Sequence, residues 1–173
     1  MNWDAIGAVG EIIGAIAVVA SLVFVGFQLR QNTTAMKLAS TNDVMGDLEK
    51  KLDQVSGNEV LADLVFRGVP DPDSLSAFDR YRFTLICQST YFYFAKTHYQ
   101  YRSGTLEPEV WEAVHSQLTN FINSPGMAQY WKNHGHNFPK PFREYINDDV
   151  LVGADEGWSL AGTGMPTPKP PEP

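Results

Sequence analysis

The chain has 173 residues, 43% of them hydrophobic, with 13 Lys and Arg against 20 Asp and Glu for a net charge of −7. That balance argues against nucleic acid as a partner, because phosphate binding requires a basic surface. It argues equally against flat adhesion to anionic lipid, which needs a cluster of Lys and Arg beside the membrane. A lone cysteine, Cys87, excludes an internal disulfide and suits a reducing compartment.

Ala5 to Phe27 is an apolar run of 23 residues broken by one charge, Glu11. A helix of that length spans roughly 35 Å, against a hydrocarbon core of about 30 Å. A secretory signal peptide would need a basic start and an apolar segment of about 7 to 15 residues. Met1-Asn2-Trp3-Asp4 has no Lys or Arg, Ile12 to Phe27 is too long, and Gln28-Leu29-Arg30-Gln31-Asn32 is no cleavage site. The run reads as an uncleaved anchor, residues 1–30. Arg30 and Lys37 follow the span while Asp4 precedes it, so the positive-inside rule puts the C-terminal part in the cytoplasm and the N-terminus outside. Trp3 would mark the outer interface.

Small residues within the run fall at spacings of three and four: Gly7, Gly10, Gly14, Ala17 and Ser21. Helices in lipid gain little from apolar burial, so close backbone approach along such a stripe favours association. The same register continues through Phe24, Gln28, Gln31, Ala35, Leu38, Asn42 and Met45. The alternative is that glycine and alanine are simply common in membrane helices. Three readings of Glu11 stay open: a boundary carboxylate that reaches water, a pairing group for a partner subunit, or one member of a carboxylate ring. The last would line a cation pore with Ser21, Gln28 and Gln31 at deeper levels.

Helical signals fill residues 31–152. Apolar positions recur at three and four from Asn32 to Val55, continuing the membrane helix, and Gly57 supplies a stop. Glu59 to Phe66 makes a short helix closed by Arg67-Gly68, followed by a Pro70-Asp71-Pro72-Asp73 loop. Ser76 with Asp79 three residues on is an N-cap that opens a long helix to about Arg102, ended by Ser103-Gly104. Pro108 fits a first helical turn, with Val110 to Ile122 continuing it. Ser124-Pro125 repeats the device for a helix to His134, with Gly135 as its C-cap. A last helix runs from about Pro141 to Val150. The segment 153–173 holds five prolines and four glycines and reads as extended and polyproline-prone, with Trp158 and Met165 as apolar anchors for a neighbouring surface.

Candidates for chemistry are weak. His134-Gly135-His136 and Asp148-Asp149 lack a third ligand at a spacing that fixes a metal site, and a cap with a loop explains the histidines. His98 and His115 lie within helices as core or surface polar groups. Cys87 reads as a small buried hydrophobe. The aromatics at 91 to 94 point all round their helix, so at least one face must be covered, by the domain's own core or by an interface.

Met1-Asn2-Trp3-Asp4-Ala5-Ile6-Gly7, the span ending Gln28-Leu29-Arg30-Gln31-Asn32-Thr33, the Tyr99-Gln100-Tyr101-Arg102-Ser103-Gly104-Thr105-Leu106 stretch, Ser124-Pro125-Gly126 with Trp131, and Phe142-Arg143-Glu144-Tyr145 together resemble a bacterial family of small single-pass membrane proteins. The resemblance covers residues 1 to about 150 and implies the architecture without an activity. The expectation is therefore an all-α chain: one N-terminal transmembrane helix, a helical cytoplasmic domain of about five helices, and an extended tail. It would serve without enzymatic activity, metal or cofactor as an assembly or accessory subunit in the bacterial inner membrane. Its partners would be the lipid bilayer and itself or other membrane subunits; the alternative is a homo-oligomeric pore with Glu11 and Gln28 near the axis.

Overall fold

In the computed structural model, residues 3–151 are described, and among them every regular element is helical. The tail 153–173, with Trp158 and Met165, lies outside the described residues. Contacts divide the chain into two compact units after Ala39.

The first unit is carried by α1 (Trp3–Ser56), a helix of 54 residues. Its apolar part has a mean hydropathy of 2.4 over an 18-residue window, none of it buried, so α1 is a candidate membrane span by length and composition. Its hydroxyls are satisfied within the helix: Ser21 Oγ donates to the Ala17 carbonyl at 2.8 Å, Thr33 Oγ1 to Leu29 at 2.9 Å and Thr34 Oγ1 to Arg30 at 3.1 Å. Beyond Arg30 the helix carries nine more residues before the second unit begins.

The second unit packs the last turns of α1 with α2 (Glu59–Gly68), α3 (Ala77–Arg102), α4 (Pro108–Ile122), α5 (Pro125–His134) and α6 (Lys140–Tyr145). Asn58 caps α2 by accepting from the Leu61 amide, and Ser76 caps α3 by accepting from the Asp79 amide. Gly104, at φ 74°, turns the chain after α3, a conformation that glycine adopts without strain. Pro108 and Pro125 each occupy the first turn of their helices as expected, although Ser124 makes no side-chain cap and its hydroxyl donates back to Phe121.

Several boundaries differ from the sequence reading. The Pro70–Asp73 loop contains a 3-10 turn at Pro72–Ser74, because Asp71 accepts from the Asp73 and Ser74 amides. Arg67 and Gly68 belong to α2 rather than ending it. Gly135 is the C-cap of α5 as expected, but in a right-handed conformation at φ −56°, and its missing side chain matters because a Cβ there would stand 2.9 Å from the Trp131 ring. The last helix is short and widens into a π turn at Ile146–Val150.

The core is aromatic and converges on α3. Tyr91 is fully buried, stacks on Tyr130 and Trp131, and donates its hydroxyl to the Met127 carbonyl at 3.0 Å. Two glycines let α2 and α5 close: a Cβ on Gly126 would stand 2.2 Å from the Gly68 carbonyl oxygen, and one on Gly68 2.6 Å from the Phe83 ring. Leu118, Ile122, Met127 and Ile146 complete the interior, so α4 to α6 close over one side of α3. On another side Lys51 donates to Ser89, Lys96 reaches Asp47 and Asp43 at 2.8 and 2.6 Å, and Gln100 donates to Asp43. As α3 numbers rise those of α1 fall, so the two segments run antiparallel.

Candidate functional site

The positions that the sequence singled out on α1 form an open surface. Gly7, Gly10, Gly14, Ala17 and Ser21 are all exposed, and a Cβ built at any of the three glycines meets nothing within 4 Å. Glu11, Gln28 and Gln31 are exposed as well, with no side-chain hydrogen bond to each other. The face is bare of side chains where the glycines lie, and it widens to Phe24, 62% exposed. Such a face can bring a second helix backbone close, where dispersion contacts and weak Cα–H···O bonds accumulate.

In the second unit α1 shows two faces. Ser40, Val44 and the half-buried Leu48 and Val55 turn toward the domain interior. Met45 and Leu52, seven residues apart, stay exposed on the other side. Asn42 and Met45, the last positions of the register expected from Gly7, are thus both exposed.

Of the aromatics on α3, Tyr91, Tyr93 and Phe94 are buried in the domain's own core, which accounts for most of the expected covering. Phe78, Tyr81, Leu85, Phe92 and Tyr99 are not; they stand 46 to 70% exposed along one side of the helix. Sequence reasoning missed this stripe. The signal was the seven-residue spacing of Phe78, Leu85, Phe92 and Tyr99, hidden among nine aromatics that the three-and-four pattern does not sort.

The titratable groups inside the domain serve packing. His98 stacks on Tyr145 at 4.5 Å, between Trp111 and Phe142, and burial pushes its pKa below the usual histidine value, with Arg102 acting in the same direction. Burial raises the Tyr145 hydroxyl, which hydrogen-bonds His115 Nδ1. Desolvation pushes the Cys87 thiol up to about 12, so it stays protonated and inert, as a buried hydrophobe would. A cavity of about 110 Å³ beside Cys87 is walled by Arg80, Gln129, Asn133 and His134, with Arg80 already paired to Asp73 at 3.4 Å. His134 reaches this wall while His136 is exposed, so the histidine pair does not converge. Among the described residues no three His, Cys, Asp or Glu groups come together as a metal site.

Comparison with protein-family models, curated proteins and solved structures gives no match.

Proposed function

We propose that this chain is a non-enzymatic, single-pass protein of the bacterial inner membrane that acts as an assembly or accessory subunit of a membrane complex. Its α1 would make the contact within the bilayer through Gly7, Gly10, Gly14, Ala17 and Ser21. Its helical domain would lie in the cytoplasm, with the N-terminus outside, as the flanking Arg30 and Lys37 favour. Membership of the small single-pass family suggested by the sequence motifs is part of the same proposal.

What supports the reading most is the contrast between the open space before every glycine of the stripe and the filled interior of the domain. Gly68, Gly126 and Gly135 inside the domain are held against neighbours, whereas Gly7, Gly10 and Gly14 face open space, as do Gly26 and Gly46 elsewhere on α1 and Gly104 at its turn. A glycine in a helix interior costs about 1 kcal/mol relative to alanine, so three in one stripe carry a cost that a close helix contact would offset.

Purification in mild detergent followed by mass measurement of the intact assembly tests this. The expected result is a mass above that of the 19.3 kDa chain. A mass equal to one chain, at concentrations where the domain is folded, would contradict it. A closed ring of identical chains with Glu11 or Gln28 on a wet axis would replace the accessory role by the pore.

A further inference from the structure

Three helices of the second unit meet at a groove that the aromatic core leaves open. Lys51 and Val55 from the last turns of α1, Leu61 from α2, and Arg82, Leu85 and Ile86 from α3 enclose a space of about 310 Å³. Ligand pockets run from about 300 to 1,000 Å³ and are mostly apolar, with a few polar groups that fix orientation. Arg82, Leu85, Ile86 and Ser89 follow one another at the three-and-four spacing of a single helix face, so the groove runs along α3. Val55, Leu61 and Ile86 are half-buried and Leu85 is 46% exposed. The walls are therefore apolar and open to solvent.

The polar end is a single ammonium. Lys51 Nζ donates to the Ser89 carbonyl at 3.1 Å and to the Ser89 hydroxyl, both neutral partners. Asp47, one turn earlier on α1, is held by Lys96 at 2.8 Å and by Lys50 at 3.9 Å, and among the described residues no carboxylate lies within ion-pair distance of Lys51. Burial pushes this ammonium below the ordinary lysine value, against the pull of Asp47. A half-buried cation with only neutral partners is costly, and an anion beside it offsets that cost. Arg82, at the other end, is already engaged: Asp79 lies 3.9 Å away and the Phe78 ring 5.8 Å away.

Length follows from α3. Ser89, which marks the level of Lys51, is seven residues from Arg82. That is about 10.5 Å along the helix axis. With carbon–carbon bonds advancing about 1.3 Å each in an extended zigzag, a chain of about eight carbons covers the distance.

We propose that this groove binds one free medium-chain fatty carboxylate, its head at Lys51 Nζ and its chain along Leu85 and Ile86 toward Arg82. The head is anionic because the ammonium lacks a charged partner, and the chain is apolar because the walls are. Arg82, paired to Asp79, offers no second open charge, which favours a single-headed acid over a diacid.

The test is equilibrium dialysis of radiolabelled octanoate against the full chain in phosphatidylcholine nanodiscs, with empty nanodiscs as the blank. Saturable binding of one octanoate per chain is expected. Octanol has the chain without the charge and acetate the charge without the chain, and each should compete about tenfold less well. Lys51→Met keeps the aliphatic stem and should weaken octanoate about tenfold, and Leu85→Ser should weaken it severalfold, with both variants folded by circular dichroism. The competition on the unmodified chain does not depend on either variant folding. Absence of saturable binding, octanol competing as well as octanoate, or full binding in both folded variants would overturn the proposal. Tighter competition by N-acetyl-leucyl-leucine would overturn the acyl occupant in favour of a peptide end. Binding is counted per chain, so its failure is separate from a failure of assembly through α1, which the intact mass reports.

Discussion

The two halves of α1 show how one helix can be written for two surroundings. In the first unit the described side chains of its apolar run are exposed on every side, and the glycines there face open space. In the second unit the same helix has a buried side at Ser40 and Val44 and an exposed side at Met45 and Leu52. A helix that is apolar all round is suited to lipid or to other helices, and one with a single buried stripe to a water-exposed domain. The domain's stability rests on close-packed aromatics, whereas the apolar run has no internal packing to lose.

Substitutions should separate these two kinds of surface. Gly126→Leu forces side-chain atoms into the Gly68 carbonyl and the Phe83 ring, so α2 and α5 must part and the domain should lose its cooperative unfolding transition. Tyr91→Ala removes a fully buried ring and its bond to Met127, and should cost about 3–5 kcal/mol in thermal or urea unfolding. Gly14→Leu on α1 should leave that transition where it is, since among the described residues nothing beyond its own stretch of helix lies within 4 Å of a Cβ there. A matching loss of domain stability would break the contrast.

A smaller effect comes from pH. The folded pKa of His98 lies below the ordinary value of 6.5, so beneath about pH 6.5 the unfolded chain binds a proton that the folded domain does not. Stability from this source is complete above pH 6.5 and is lost as pH falls toward the folded pKa. The melting temperature should therefore drop between about pH 7 and pH 5, and His98→Phe should flatten that slope. The smallest effect is chemical: Cys87, with its thiol held up near 12, should resist iodoacetamide at neutral pH in the folded protein and react only on unfolding.

What could be read from the sequence was local. The Ser76 cap, the first-turn prolines Pro108 and Pro125, and the length of the apolar run each depend on a few neighbouring residues, and the structure carries all of them. The burial of Thr97 and His98, the exposure of Phe92 and Tyr99, and the need for glycine at 68 and 126 depend on which helices arrive from elsewhere in the chain. The seven-residue spacing of Phe78, Leu85, Phe92 and Tyr99 marks one line along α3, but the spacing alone does not tell whether α4 to α6 cover that line or another. The small-residue stripe is an intermediate case: its positions were legible and its openness is structural, while the contact it would make in the proposed assembly depends on another chain.

The most direct measurement of that assembly is the intact mass of the Gly10→Leu, Gly14→Leu double variant beside the unmodified chain in the same mild detergent. The account expects the unmodified chain above 19.3 kDa and the variant shifted toward one chain, with the domain's melting temperature unchanged. An assembly that survives both leucines intact would contradict the small-residue face as the contact.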